Sequence, residues 1–489
     1  MKSLVCYGWL IVAVVLLAGC TVGPDYVKPS PPVPEKWHEA RSGKPASAGQ
    51  YQDWWKSFND PVLNNLINQA IASNLDYQSA LTRIRDARSQ RTVAVAAGLP
   101  TLSVRSTASR RLNSISSAGG TGASTVGGGA FGVGDQIINI FQSGLDAQWE
   151  IDLFGGIRRS VEVADANIEV AVENSRALLV SLVGEVAFNY LQLRANQQLL
   201  TVTQENLRNQ EDTLYLTQVR QQAGLTSHLE IAQAQALLSA TQAQLPGYEE
   251  GSKLAIHAIA VLLGQEPGKL AFLLENQAPI PVSPNLAEAD LPSELLLRRP
   301  DIRRAERQLA AANAQIGVAT AAQYPRFNLT ALIGLQNTKI TDFTPVGKSW
   351  SMASTLSMPL FNWGSIQANI VSKKAQHDEA LLAYRSSVLT AFKEVEDALV
   401  SYTEMQNKRR SLEQAVTSSQ LAVTLSKEVY GKGLTSFLDV LVAERALFQA
   451  QRELVDSDAA ISSQLVALYK ALGGGWQTAG QQTVSHFAE

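Results

Sequence analysis

Residues 224–227 read GLTS, and residues 433–436 read GLTS again, 209 positions later. The neighbours repeat with them. Without a gap, Gly155 falls on Gly364, Ile157 on Ile366, Arg176 on Arg385, Glu185 on Glu394, Val186 on Val395, Leu229 on Leu438, Leu245 on Leu454 and Gly264 on Gly473. Upstream the offset becomes 225, which sets Asp76, Ala80, Gln90, Val93 and Pro100 against Asp301, Ala305, Gln315, Val318 and Pro325. Solenoid repeats have periods of roughly 20–50 residues, so a period this long marks two fused copies of one large unit.

Each GLTS follows a very long helical stretch. Residues 365–430 contain neither glycine nor proline, and residues 157–223 contain only Gly184. At a rise of about 1.5 Å per residue, such a stretch makes a helix of roughly 100 Å. Stepping by seven gives Val172, Leu179, Val186, Leu193, Leu200, Leu207 and Leu214 in the first copy. The second gives Leu381, Val388, Val395, Tyr402, Arg409, Val416 and Val423. The heptad predicts left-handed coiled-coil packing; a plain core helix of a bundle shows such stripes too, although seldom at this length. After each long helix, glycine ends the run, and Thr226 or Ser227 (Thr435 or Ser436) can cap the next helix with a side-chain oxygen. Gly224, Leu225, Thr226 and Ser227, with Gly433, Leu434, Thr435 and Ser436, are therefore the tips of two antiparallel helical hairpins. Pro246-Gly247 should kink the first return helix, whereas its counterpart Val455-Asp456 should not.

Between the first short helix, over 61–97, and the first long one lie TLSVRSTASRRL (101–112) and LDAQWEIDLF (145–154). In the second, Leu145, Ala147, Trp149, Ile151 and Leu153 alternate with Asp146, Gln148, Glu150 and Asp152, the period of a strand with one polar face. The second copy supplies FNLTALIGLQ (327–336) and WSMASTLSMPLF (350–361). Lengths near ten residues fit tilted membrane-spanning strands, but lipid does not tolerate open sheet edges and the smallest barrels need about eight strands. Four strands cannot close alone; a trimer would supply twelve. The glycine- and serine-rich stretch at 113–143 then reads as a flexible extracellular loop.

The chain has 489 residues and a formal net charge of −3, with no basic excess that would call for nucleic acid. At its start, LVCYGWLIVAVVLLAGC follows Lys2 and reads as a signal peptide over 1–19. The small residues before Cys20 allow ordinary cleavage, but Leu17-Ala18-Gly19-Cys20 also resembles the bacterial lipobox, which would leave Cys20 N-terminal and lipidated. With Cys6 removed, Cys20 has no partner thiol. By the same resemblance, Thr21 after the cysteine favours outer-membrane sorting. GPDYVKPSPPVPEKW, with five prolines, reads as an extended strap.

These features resemble the outer membrane factor family, the TolC-like exit ducts, in its lipoprotein branch serving resistance-nodulation-division efflux systems. LRRPDI (297–302), GLTSFLDVLVAERALFQAQREL (433–454) and the C-terminal ALYKALGGGW (467–476) look like that branch's own signatures. The resemblance implies a mixed fold, a twelve-stranded membrane β-barrel on a long α-helical coiled-coil barrel, closed by a homotrimer. It divides the chain into a strap and equatorial segment at 20–60, a first repeat at 61–264, an equatorial linker at 265–292, a second repeat at 293–473 and a tail at 474–489. Within the repeats it places strand hairpins at 101–154 and 325–361, long helices at 155–222 and 365–430, and return helices at 226–263 and 435–472. The implied function is an outer-membrane exit duct passing small toxic compounds from a periplasmic adaptor and an inner-membrane pump to the exterior, with the tips as adaptor docks. An exit duct for type I protein secretion, an autonomous porin and a structural coiled-coil lipoprotein are the rival readings.

Family members close the tunnel's inner end with polar and charged side chains near the tips. Tyr430 and Asp439 fall on the matching tyrosine and aspartate, Thr435 stands where some members carry an arginine, and Glu230 is the first-repeat counterpart of Asp439. Two readings of Asp439 stand: a gate carboxylate crowded with Glu230, the crowding raising both pKa values, or a support for its own helix N-terminus. An enzyme needs a constellation, and His38, His228, His257, His377 and His486 sit in no HExxH, CxxC or nucleophile-elbow context. No metal site or cofactor is expected beyond the lipid on Cys20.

Overall fold

The computed structural model describes residues 21–38, 51–113, 136–282, 298–342 and 348–477. The signal segment, Cys20, residues 283–292 of the linker and the tail from 478 lie outside them. In chain order the strands and the α-helices longer than about one turn are α1 (Pro61–Ser73), α2 (Leu75–Ala96), β1 (Thr101–Asn113), β2 (Gln136–Ile151), α3 (Gly156–Gln222), α4 (His228–Gln242), α5 (Leu245–Leu262), α6 (Pro300–Ala321), β3 (Arg326–Asn337), β4 (Lys348–Ser357), α7 (Ser365–Gly431) and α8 (Phe437–Ala471). The chain divides into two units. One takes the described residues within Met1–Lys28, Ala87–Ile168 and Leu309–Ala380; the other takes those within Pro29–Asp86, Glu169–Gln308 and Leu381–Glu489.

The first unit holds all four strands in one antiparallel sheet of order β1-β2-β3-β4. Directly paired residues share a face, so the register lines up apolar rows across the sheet. Val104, Leu145, Ile333 and Trp350 form one, and Leu102, Ala147, Ala331 and Met352 the next. The opposite face carries rows such as Ser103, Asp146, Leu332 and Ser351. Val104, Leu145, Ile333 and Trp350 are all exposed in the single chain, an apolar surface on a sheet whose β1 and β4 edges each have one strand neighbour. Gly144 and Gly334 face each other where β2 and β3 run close: a Cβ on Gly334 would lie 2.2 Å from the Ser143 carbonyl oxygen.

The second unit is helical. Its core joins Trp54, Trp55 and Phe58 to α1, the middle of α3 (Leu179 to Leu193), α5, α7 (Val395 to Tyr402) and the end of α8. Trp54 stacks on Tyr469 with ring centroids 5.3 Å apart. Asp60 caps α1 by accepting from the Val62 and Leu63 amides, and it also accepts the Tyr190 hydroxyl at 2.7 Å. Burial, and after it this carboxylate, push the Tyr190 hydroxyl far above its ordinary value. Arg299, buried, donates to both Asp301 oxygens at 3.0 and 2.6 Å and to the Ala471 carbonyl at 2.9 Å, and pairs with Glu394 at 2.7 Å. Burial raises Asp301, but the guanidinium beside it wins and holds the carboxyl below its usual range.

Several boundaries differ from the sequence reading, each for a local reason. β2 begins at Gln136 rather than 145, because Ile137, Ile138, Ile140 and Phe141 continue the ladder against β1; residues 136–143 are strand, not loop. β4 ends at Ser357, just before Met358 and Pro359, and proline has no N–H to give a ladder. The helix expected over 61–97 breaks at the buried Asn74, whose side chain accepts from the Tyr77 amide at 2.8 Å and donates to the Leu262 carbonyl at 2.9 Å. The kink expected at Pro246 is a full break: α4 ends at Gln242, the residue whose carbonyl a helical Pro246 could not reach. Val455 and Asp456 lie inside the unbroken α8. The return helices start at His228 and Phe437, two residues late, because Ser227 and Ser436 have extended backbone.

Candidate functional site

The two tips close in the same way. Gly224 and Gly433 both take φ +74°, the left-handed region that costs glycine nothing. That turn lets the Leu225 amide reach back to the Arg220 carbonyl at 2.9 Å and the Leu434 amide to the Val429 carbonyl at 3.1 Å, the 6→1 bond of a glycine-terminated helix. A Cβ at either glycine would meet nothing within 4 Å. Leu225, Leu229, Leu434 and Leu438 stand exposed around the turns. Water-facing leucines at duplicated positions form a surface suited to a protein partner.

The caps differ. Ser227 makes no side-chain cap hydrogen bond. Ser436 and Asp439 form a capping box, in which Asp439 accepts from the Ser436 amide at 3.2 Å and hydroxyl at 2.9 Å, and from the Thr435 hydroxyl as well. The Thr435 hydroxyl first and Ser436 second hold the Asp439 carboxyl below its usual range. Within one chain Asp439 thus serves its own helix start, and Thr435, at the arginine position, is bonded to it.

Glu230 is engaged elsewhere. It accepts the Tyr430 hydroxyl at 2.6 Å, a bond between the hairpin of the first repeat and that of the second. Tyr430 is buried, packed against Phe437 at 5.3 Å between ring centroids, with the Arg220 guanidinium 4.6 Å over its ring. Arg220 also donates to the Gly431 carbonyl at 3.2 Å. Burial, and after it the Glu230 carboxylate, raise the Tyr430 hydroxyl above its ordinary value, so it keeps its proton and its role as donor. Leu214, Ala234, Leu237, Val440 and Leu441 complete a small apolar cluster around this pair.

Behind the tip, the seam of α3 is polar. Thr203, Asn206, Gln210, Thr213 and Thr217, spaced alternately by three and four, are all buried, whereas Leu200 and Leu207 of the leucine heptad are half-buried. Across from them on α8, Gln451 accepts from Asn206 at 2.7 Å. Glu444, also on α8, accepts from the Thr213 hydroxyl and from Lys427, both at 2.8 Å. Gln210 finds no partner for either amide atom among the described residues. Counting leucines by sevens missed this row; the Thr-x-x-Asn-x-x-x-Gln-x-x-Thr-x-x-x-Thr pattern shows it. Hydrogen bonds in such a seam can be exchanged for water when helices part, which an apolar seam cannot do. The arrangement suits a closure that opens.

Among the described residues, no group of three or more His, Cys, Asp or Glu side chains could hold a metal ion, and no helix is long and apolar enough to cross a membrane. A family model described as "Outer membrane efflux protein" matches residues 66–265 and 291–474. The solvent efflux pump outer membrane protein SrpC of Pseudomonas putida is 32% identical over 473 residues, covering 95% of this chain and 97% of its own. Nodulation protein T of Rhizobium leguminosarum bv. viciae is 32% identical over 466 residues, covering 94% and 92%. The solved outer-membrane channel OprN superposes with a TM-score of 0.85 at 34% identity, covering 94% of this chain and 100% of its own.

Proposed function

The chain belongs to the outer membrane efflux protein family and is an outer-membrane exit duct, not an enzyme; we propose that it works as the trimeric outlet of a tripartite pump. The observation that carries the trimer is the sheet: among the described residues it has four strands, two edges without a strand partner and apolar rows across one exposed face. Lipid forbids such edges, and three copies joined β4 to β1 supply twelve strands in one closed ring. The helical units of the same three copies then surround a periplasmic tunnel.

Small toxic compounds enter that tunnel from an inner-membrane pump of the resistance-nodulation-division type through a periplasmic adaptor. The adaptor docks on the two tips, whose exposed leucines are repeated at Leu225 and Leu434. The gate lies just behind: Tyr430 and Glu230 latch one hairpin to the other, and Asp439 stiffens the tip helix and brings a carboxylate to the mouth. Cys20 carries the lipid anchor. Selection among cargoes belongs to the pump, because a wide water-filled passage has no enclosed binding pocket.

Photo-crosslinkers at Thr226 and Ser436, used in cells with mass spectrometry of the captured protein, test this reading. Capture of an adaptor from both sites is expected, and the pump that travels with it separates compound efflux from type I protein secretion. Capture from the middle of α7 but from neither tip overturns the docking surface.

A further inference from the structure

Residues 21–26 are held against the strand unit by a site built for them. The Val22 amide donates to the Phe154 carbonyl at 3.1 Å. Arg159, on the first turn of α3 and almost wholly buried, turns back along the strap: Nε donates to the Val22 carbonyl at 3.2 Å, and Nη2 to the Gly23 carbonyl at 3.4 Å and to Asp25 at 2.7 Å. Its Nη1 is fixed by Glu162 at 2.7 Å. From α6, Asn313 donates to the Pro24 carbonyl at 3.0 Å. Tyr26 packs on Ala166, Ala310 and Ala311.

Three glycines make room. A Cβ on Gly23, which has φ +95°, would lie 2.5 Å from the Gly317 Cα; one on Gly317 would lie 2.7 Å from the Arg159 side chain; one on Gly155 would lie 2.8 Å from Thr21. Close approach of backbone to backbone is what glycine allows.

The duplication supplies an internal control. Gly155 has its counterpart in Gly364, which has the same positive φ but meets nothing within 4 Å. At the 209 and 225 offsets, Arg159 corresponds to Ala368, Asn313 to Arg88 and Gly317 to Thr92. The fold offers the notch twice, and the three residues that grip the strap occur once, as a chain with one N-terminus requires.

We propose that Arg159, Asn313 and Gly317 form a dedicated dock for the N-terminal strap, which seats the lipid-bearing cysteine at the foot of the strand sheet and pins the first repeat to the second. The lipid half rests on the reading of Cys20 as the acylated N-terminus. One peptide step of about 3.8 Å separates Cys20 from Thr21, so a docked strap tethers an acylated cysteine close to the foot of the strands.

Hydrogen exchange on the purified full-length protein tests the dock, read on the peptide covering residues 21–28. Arg159→Ala and Gly317→Val should each speed its exchange at least about tenfold, as expected when charge-assisted bonds or a close contact are lost, while β1–β4 stay protected. Strap-side variants, Gly23→Ala and Asp25→Ala, guard against misfolding, because Asp25 is exposed and neither residue lies in a helix or strand. Strap exchange at the wild-type rate in Gly23→Ala and in Asp25→Ala overturns the dock. The mass of the N-terminal peptide reads acylation separately: an unmodified Cys20 overturns the lipid half and leaves the dock standing.

Discussion

Tyr430→Phe removes one oxygen atom from the latch between the hairpins and leaves its packing in place. The ring still fits the buried site beside Phe437 and under Arg220. What goes is the 2.6 Å hydrogen bond to Glu230. A hydrogen bond to a charged group contributes about 1.5–3 kcal/mol, and the lower end applies because Glu230 is half-buried and recovers water once released. About 1.5 kcal/mol per chain shifts each chain's latched-to-parted equilibrium by roughly tenfold, so a channel built from three chains gains at least that factor in opening. Single-channel recording in planar bilayers should show that rise in open occupancy, with unchanged helical content by circular dichroism as the sign that the helices are intact. The pH dependence has a fixed sign. A hydroxyl whose folded pKa is raised stabilises the latched form fully below the ordinary tyrosine value near 10 and loses that contribution as pH climbs through the raised value. Wild type should therefore hold its closed fraction through neutral pH and loosen only in strong alkali, a step that Tyr430→Phe lacks. Open occupancies that match wild type at neutral pH would refute the latch.

Further substitutions test other parts of the same account. Asp439→Ala should raise single-channel conductance by removing a carboxylate from the mouth; unchanged conductance leaves Asp439 as a helix cap alone. Gln210→Leu replaces a buried amide with no partner among the described residues; it should stabilise the coil by about 1–2 kcal/mol, read as a higher melting temperature, and it should lengthen closed dwell times. Arg299→Ala strands Asp301 and Glu394, and because both are partly solvated the loss should be near 3 kcal/mol, measured by thermal unfolding. Gly334→Val drives a side chain into the β2 backbone and should abolish the heat-modifiable form on gels.

The repeat, the long helices and the strands were legible because each rests on a local rule. Freedom from glycine and proline gives a helix its length, and alternation gives β2 its face. Boundaries failed where a distant partner decided them. Asn74 breaks its helix by bonding to Leu262, far along the chain, and nothing near Asn74 announces that carbonyl. β2 reaches back to Gln136 because β1 is there to pair with it, although the Ile137–Phe141 run could have been counted.

The proposed gate shows the same division more sharply. Tyr430 and Asp439 are picked out by the family resemblance and Glu230 by the repeat, but their pairing is not, because equivalence by repeat sets Glu230 against Asp439 while geometry joins Glu230 to Tyr430. Duplication preserved the backbone of the two tips, with glycines at the same φ and the same back-bonded leucine amides, and left the side chains free to diverge. In the second copy the acidic residue turned inward to its own cap; in the first it reaches the other copy's tyrosine. A symmetric pair of carboxylates could only repel. One donor and one acceptor on opposite hairpins can hold, and the buried threonine, asparagine and glutamine row behind them gives way to water without exposing an apolar core. In the proposed gate that combination opens the duct by parting the tips, while the aromatic core around Trp54 and Tyr469, in the same helical unit, keeps the long helices together.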